Sequence, residues 1–479
     1  MSEYETVIGL ETHAHFLTES KMFCGCRTTF GGDPNTQTCP VCQGLPGVLP
    51  VVNEKAFGLG LKIAVALNCE IAPVTQFDRK NYYYPDLPKN YQISQNYNNL
   101  GVNGWLDLDV DGERRRVGIW NVHLEEDAGK LEHPEDTGAD YTAVDLNRAG
   151  TPLLEIVSGP DMRSAGEANV YMNALAAMLR YLDVSDCKME EGSLRFEAGI
   201  SVRVAGDERL GNRVEVKNLN SMSAVVKAIE YEAKRQVEAL ESGGTVSSET
   251  MLWNVQRGVT EPMRSKEEAK DYRYFPEPDL VPVEISDEWL ARIRAEMPEL
   301  PAARRERFGS EYGLPTYDAV VLTGDKEVAE YFEHVVAAGA DPKLASNWVM
   351  GEVMRELNER KCAVGELAVT PEMLAELLAL VAGGEISNNT GKEVLVEMAA
   401  GGKRAAAVVE EKGLRQISDT GALEAEVQAV LDANAKAVED LRAGKKQARG
   451  FLMGQVMRVT QGKANPKVVG DLIDKLAGS

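Results

Sequence analysis

Val117-Gly118-Ile119-Trp120-Asn121-Val122-His123-Leu124 alternates apolar with small or polar residues as a half-buried β-strand does. Ala143 to Leu146 repeats the pattern in miniature, whereas Ser164 to Leu182 and Ser223 to Leu240 carry apolar residues at helical spacing. Strands and helices are thus mixed from Tyr4 to about Ser286, with short apolar runs and frequent Gly and Pro between them. This predicts an α+β domain built on a mixed, mainly antiparallel sheet rather than a doubly wound parallel one.

Outward from that region, the proline pair in Glu296-Met297-Pro298-Glu299-Leu300-Pro301 marks a seam. Beyond it Val328 to Ala338, Pro342 to Asn358, Thr370 to Val381 and Thr390 to Ala400 read as amphipathic helices. A second seam at Gly401-Gly402-Lys403 precedes further amphipathic helices that run to Leu476. The expected division is a sheet domain over 1–293, an all-α domain over 294–402 and a small all-α tail over 403–479. A chain of 479 residues needs such a division, because single cores stop growing well below that length. Gly58-Leu59-Gly60-Leu61 lacks the third glycine of a dinucleotide fingerprint and falls inside the helical pattern Ala56 to Leu67.

The composition, 44% apolar and 27% charged, is that of a globular protein rather than a disordered one. No stretch approaches the roughly 18 apolar residues of a membrane span, and Met1 to Leu10 holds acids where a signal peptide needs bases, so a cytoplasmic location is expected. A net charge of -23 argues against nucleic acid unless the bases are segregated. They are: Leu441 to Ser479 holds eight bases against two acids, a local +6 that leaves -29 for the remainder.

Cys24-Gly25-Cys26, then twelve residues, then Cys39-Pro40-Val41-Cys42 has the spacing of a zinc knuckle over 24–42. Four thiolates would close the metal's shell and leave no position for water, so the ion would be structural. Four reduced thiols without metal are the alternative.

Carboxylates also recur inside apolar, strand-like segments. Glu11 and His13 share one face of Val7-Ile8-Gly9-Leu10-Glu11-Thr12-His13, Glu125, Glu126 and Asp127 follow Val122-His123-Leu124, and Glu155 is set in Pro152-Leu153-Leu154-Glu155-Ile156-Val157. Glu190 and Glu191 precede Gly192-Ser193-Leu194-Arg195. Burying unpaired charge is costly, and several convergent acids supply the hard oxygen ligands that magnesium requires. No G-x-x-x-x-G-K-[ST] phosphate loop accompanies them, so an ATP site here would be of another kind. Lys80 to Gln92 concentrates tyrosines beside lysines, suited either to stacking on a nucleotide or to packing.

From about residue 4 to residue 476 these motifs, in this order, resemble the GatB family, one of the component chains of bacterial aspartyl/glutamyl-tRNA amidotransferases. The resemblance rests on Gly9-Leu10-Glu11-Thr12-His13, the cysteine pairs, Tyr84-Pro85-Asp86-Leu87-Pro88-Lys89, Leu124-Glu125-Glu126-Asp127-Ala128-Gly129-Lys130 and Asp145 to Glu155. It continues through Met189 to Arg195, Lys217-Asn218-Leu219-Asn220-Ser221, Asp271 to Pro276, Gly454-Gln455-Val456-Met457 and Gly462 to Pro466. It implies a cradle domain, a helical domain and a YqeY-like tail. The implied activity is ATP-dependent activation of the side-chain carboxylate of Asp-tRNA(Asn) or Glu-tRNA(Gln) to an acyl phosphate, followed by amidation.

The implied partners are an A subunit supplying ammonia and a short C subunit, and the implied cofactors are ATP, Mg2+ and structural Zn2+. By the same resemblance Glu11, His13, Glu125 and Glu155 form the catalytic and magnesium site, extended to Glu126, Glu191 and Glu215 for the cofactor. Cys24, Cys26, Cys39 and Cys42 hold zinc, and Lys445, Lys446, Arg449, Arg458 and Lys463 face tRNA. Phe196-Glu197 stands where the family usually has Cys-Asp, and His15 where Gln or Glu is commoner. Glu197 keeps the charge with a longer reach and is left outside the expected site. The competing readings are a noncatalytic tRNA-binding and assembly scaffold and, more weakly, a zinc hydrolase.

Overall fold

The computed structural model describes residues 4–132, 141–263, 272–416, 420–460 and 464–477. It has two compact units, Met1–Pro301 and Ala302–Ser479. In the first, nine strands form one mixed sheet: β1 (Tyr4–His15), β2 (Glu70–Ile71), β3 (Gly101–Val110), β4 (Glu113–Glu126), β5 (Pro152–Ser158), β6 (Leu194–Val204), β7 (Val214–Leu219), β8 (Glu249–Asn254) and β9 (Val259–Pro262). Their order is β9-β8-β7-β6-β1-β5-β4-β3-β2, antiparallel throughout except for the parallel pair β7/β8. The α+β class expected from the sequence is the class observed.

Strand alternation separates the two faces of this sheet. Ile8, Leu10, Thr12 and Ala14 of β1 are fully buried on one side, while Glu11, His13 and His15 alternate with them on the other. Ile8, Leu10 and Ala14 join Val122, Leu124, Leu154, Ile156, Phe196 and Ala198 in one core with the helices α1 (Glu54–Ala66), α2 (Ala165–Tyr181) and α3 (Met222–Glu241). Asn53, Ser164 and Ser221 cap these helices by accepting from the backbone N–H of Ala56, Glu167 and Ala224. Gly60 allows α1 to lie close on β4, because a Cβ there would meet Leu124 Cδ2 at 2.6 Å. Gly60 is therefore a packing residue of the helix, whereas Gly58 has open space around it.

The alternating segment Val117 to Leu124 is part of β4, and it carries a bulge. Val157 pairs with Asn121 but Ser158 with Ile119, so Trp120 is the extra residue. The bulge lets Ile119 and Val122 both be buried although three positions apart, while Trp120 is exposed. A ribbon of Asp78–Asn81 paired with Tyr91–Ser94 lies across the end of β4, where Gln92 Nε2 donates to the Glu126 carbonyl at 2.6 Å. A fourth helix, α4 (Asp287–Ala295), closes the unit.

The described residues of the second unit form helices and no named strand. One apolar cluster gathers residues from α5 (Pro301–Tyr312), α6 (Thr316–Leu322), α7 (Lys326–Ala337), α8 (Pro342–Trp348), α10 (Pro371–Ala382), α11 (Asn388–Gly401) and α12 (Ala405–Glu411). The sequence suggests one helix from Pro342 to Asn358; in the fold a π turn over Val349–Val353 separates α8 from α9 (Met354–Arg360). That turn draws the Glu352 carboxylate inward, between Arg355 at 2.7 Å and Lys392 at 2.6 Å. A separate cluster joins α13 (Thr420–Ala433), α15 (Lys446–Val459) and α16 (Pro466–Ala477), with α14 (Ala435–Arg442) packed against it. Among the described residues no helix is long and apolar enough to cross a membrane.

Candidate functional site

The face of the sheet opposite α1, α2 and α3 carries polar residues in rows set by strand pairing. Arg195 of β6, His13 of β1, Glu155 of β5 and His123 of β4 are successive cross-strand partners. On one side lies the row Glu197, Glu11, Val157, Asn121, and on the other His15, Leu153, Glu125. Each residue is two positions from its neighbour on its own strand, so all share one face.

In this arrangement His13 Nε2 lies 3.3 Å from Glu155, 3.7 Å from Glu11 and 3.8 Å from Glu125. His123 Nε2 reaches Glu155 at 3.1 Å, and its Nδ1 is fixed by Asn121 at 3.0 Å. Two overlapping groups, Glu11-His13-Glu155 and His123-Glu125-Glu155, each bring one ligand atom per residue within 4.8 Å of the others.

These groups perturb one another strongly. Burial alone would lower the pKa of His13, but the hydrogen bond and charge of Glu155, then Glu125 and Glu11, push it up to about 9. Burial raises Glu11 to about 7, with Glu155 adding to the effect and His13 opposing it. Glu125 is raised by burial and by Glu155. Glu155, despite burial, is held well below the usual carboxylate range by His123 and His13. Without a bound cation, then, Glu155 is the anion shared by two imidazoles, both of whose pKa values it raises against the effect of burial, while Glu125 and Glu11 resist ionisation.

A second cluster adjoins the rows. The buried Asp127 accepts from His15 Nε2 at 2.7 Å and Arg195 Nη2 at 2.9 Å, with Arg148 Nε at 3.5 Å. Burial opposes its charge, but Arg195, Arg148 and His15 outweigh that and hold it well below the usual range. From Glu11 a groove runs on past Trp120, Glu197, Arg213 and Glu215.

The four knuckle cysteines also converge, their Sγ atoms within 4.8 Å of one another and Cys39 and Cys42 at 4.0 Å. Zn–S bonds of about 2.3 Å in a tetrahedron put sulfurs about 3.8 Å apart, so the donor set fits zinc with little movement. The Cys42 thiol is pulled down, first by the hydrogen bond from Cys24 and also by Lys21, whose buried ammonium lies 3.6 Å from its sulfur. All seven cysteines are unpaired.

Comparison with known proteins places the chain in one family. Residues 6–291 match the GatB/GatE catalytic domain, and residues 330–476 match the GatB domain. The chain belongs to the GatB/GatE family. A protein of Moorella thermoacetica, named as the B subunit of aspartyl/glutamyl-tRNA(Asn/Gln) amidotransferase, is 57% identical over 471 residues, covering 98% of this chain and 99% of that one. The protein of the same name from Carboxydothermus hydrogenoformans is 53% identical over 479 residues, the whole of both chains.

Of the residues singled out by the GatB resemblance, Glu11, His13, Glu125 and Glu155 stand together. Glu215 lies further along the same face, paired with Lys217 at 2.9 Å. Glu126 is not in the group: next to Glu125 on one strand, it faces the opposite way, pairs with Lys89 and accepts from Ile93 N at 2.9 Å. With Lys89 it lines a cleft beside Cys24, Cys42 and Gly150. Glu191 is also apart, in a turn, paired with Lys188 at 2.9 Å.

In the tail Lys445 pairs with Asp440 at 2.8 Å and Arg449 forks onto Asp474 at 2.7 and 2.9 Å. Arg458 is exposed, Lys446 opens α15, and Lys463 lies outside the described residues. His123, Arg195, Asp127, Glu197 and Lys80 complete the surroundings and stand outside the site expected from the sequence, Glu197 by explicit exclusion. His123 was within reach, being two positions before Glu125 on a strand.

Proposed function

We propose that this chain is the activating subunit of a tRNA-dependent amidotransferase, working in the cytoplasm with an A subunit that supplies ammonia and a C subunit. The observation that carries this reading is the set of carboxylates and imidazoles gathered on the face of the sheet opposite helices α1, α2 and α3. A carboxylate oxygen of Asp-tRNA(Asn) or Glu-tRNA(Gln) attacks the γ-phosphorus of ATP. The new O–P bond forms as the bond to the bridging oxygen breaks, and ADP leaves with the electron pair. Ammonia then attacks the acyl carbon, the C–O bond breaks, phosphate leaves, and the nitrogen loses a proton. Two steps are needed because a free carboxylate has no adequate leaving group.

Glu11, His13, Glu125 and Glu155 are the residues that would hold magnesium, with His123 beside them. The ion, when bound, supplies positive charge to the phosphate oxygens. The paired Glu126 and Lys89 stand at the cleft by the knuckle, apart from that face. The knuckle cysteines would hold structural zinc. We divide the chain into the sheet domain 1–293, a helical domain 294–402 and a YqeY-like tail 403–479; the two separate apolar clusters of the second unit support a division there.

The direct test incubates the assembled complex with ATP, glutamine and each misacylated tRNA, then identifies the released amino acid. Amide is expected, and ammonium salts should replace glutamine as nitrogen donor. A complex that forms no amide with either tRNA contradicts the reading.

Magnesium binding should be pH-linked. His13, with a pKa near 9 in the ion-free protein, is protonated at neutral pH and must lose that proton to become a ligand. Affinity should rise with pH and level off above about 9, with about one proton or more released per ion at pH 7. Titration calorimetry in buffers of different ionisation enthalpy measures this, and a pH-independent affinity would remove His13 from the ligand set.

The basic tail is assigned to the tRNA body, with Lys445, Lys446, Arg449, Arg458 and Lys463 as candidate contacts. Deleting residues after Gly402 should weaken tRNA binding and flatten its salt dependence by roughly 0.9 in the log-log slope for each lost phosphate contact. ATP binding should persist. Unchanged tRNA affinity and slope would move the anchor elsewhere, with the Tyr82 to Tyr91 segment next in line.

A further inference from the structure

Two cations beside the acid rows are left without a full set of partners. Arg195 occupies the row position next to His13, and its side chain is 35% exposed. Its Nη2 is anchored on Asp127 at 2.9 Å, while Nε has no hydrogen-bond partner. Asp127 is itself held by His15 and Arg148, so the guanidinium is fixed at one corner with its remaining N–H groups uncommitted among the described residues.

Lys80 approaches from the other side. It pairs in register with Gln92 in the ribbon over the end of β4, on the same ribbon face as Ser94, whose Oγ donates to Glu125 at 3.2 Å. That shared face is turned toward the acids. Among the described residues the Lys80 ammonium has no carboxylate within ion-pair distance, and it sits 5.1 Å from the centre of the Tyr272 ring. Burial opposes its charge, yet Glu125, Tyr274 and Glu155 raise its pKa, so it stays an ammonium. Arg195 and His123 are three strand spacings apart, roughly 14 Å, a gap that long side chains can bridge from both edges.

We propose that Arg195 and Lys80 flank the acid rows as a pair of phosphoryl-binding cations, closing on the group that passes from ATP to the substrate carboxylate. A guanidinium held at one corner presents a planar fork suited to two phosphoryl oxygens, and a lysine adds a point charge opposite it. The acids would then meet the cation that accompanies the nucleotide, while these two side chains meet the anionic oxygens. This rests on the activating role proposed above.

The test uses the assembled complex carrying Arg195→Lys, Arg195→Gln or Lys80→Gln. Lys80→Gln strands no buried partner, so it remains informative if Arg195→Gln, which leaves Asp127 short of a cation, misfolds. Each Gln variant should lower the rate of tRNA-dependent phosphate release roughly 10²-fold, weaken magnesium-ATP binding about tenfold, and leave ADP affinity and the KM for misacylated tRNA unchanged. Arg195→Lys should restore part of the rate. A raised KM for the misacylated tRNA with normal ATP affinity would mean that the cations hold the amino-acid carboxylate instead, overturning the assignment, as would unchanged release in both Gln variants. A wild-type complex that releases no phosphate removes the activating role itself and the assignment with it.

Discussion

Glu125→Gln should lower ATP- and tRNA-dependent phosphate release by roughly 10²–10³-fold while raising the melting temperature of the ion-free protein. Both effects come from the same environment. Glu125 is 3% exposed, with His13 3.8 Å away and Glu155 among the groups that resist its ionisation. A carboxyl whose folded pKa is raised contributes stability below its unfolded pKa and loses that contribution as pH rises through the folded value. At neutral pH the ion-free fold is therefore strained by this group, and a neutral amide of equal size relieves the strain. For activity the same change removes a hard anionic ligand. His13→Ala should match the loss of phosphate release, with assembly and tRNA affinity preserved. Phosphate release at the wild-type rate in both variants would leave the scaffold reading standing. A fall in both activity and melting temperature would point to misfolding instead.

Cys42→Ser should take zinc content from close to one ion per chain to near zero, and should expose the segment from Cys24 to Pro50 to proteolysis. Between β1 and α1 the chain has no regular strand ladder, only turns, one isolated bridge between Ser20 and Arg27, and few buried apolar anchors such as Met22 and Phe23. A four-thiolate zinc site in a short loop contributes on the order of 10 kcal/mol of local folding free energy, far more than those anchors. Lys21 adds to the expectation: an ammonium buried to 1% exposure beside Cys42 balances the negative charge of a thiolate cluster and would be poorly compensated beside a serine. Elemental analysis and limited digestion read the two effects. A wild-type protein that is free of zinc and equally resistant would remove the knuckle. Amidation should suffer only indirectly, because Gly44 of this loop packs on Lys89, the partner of Glu126.

How much of this site was legible in the sequence depends on what fixes each residue. Glu11 and His13 were readable because a two-residue period puts them on one face whatever the strand pairs with. The same rule separates Glu126 from Glu125, and applying it strictly would have kept Glu126 out of the cluster and brought His123 in. Arg195 and Glu155 join His13 through pairings that span well over a hundred residues, and no local pattern encodes such a register. Asp127 was visible as an acid, but its pairing with His15 and Arg195 depends on those same registers. Lys80 was noticed only for its tyrosine neighbours, because the ribbon that turns it toward Glu125 is a tertiary feature. For the fold, the helix expected from Ser164 begins directly after that capping residue, and the one expected from Ser223 begins one residue earlier, at Met222, after the cap Ser221. The π turn after Trp348 carried no signal that apolar spacing could reveal.

The central position of β1 also has a meaning in time. Its two neighbours, β5 and β6, begin 137 and 179 residues after its own last residue, His15. At 5–20 residues per second of synthesis, β1 leaves the ribosome roughly 10–40 s before β6 is available to pair with it. During that interval both backbone edges of β1 lack a paired strand, its apolar face, Ile8 and Leu10 included, is not yet packed in the sheet, and the chemistry-bearing residues on its other face have no cross-strand companions. The strand that organises the finished sheet is thus an orphan in the nascent chain, and its safekeeping falls to chaperones or to transient local collapse until the later strands arrive.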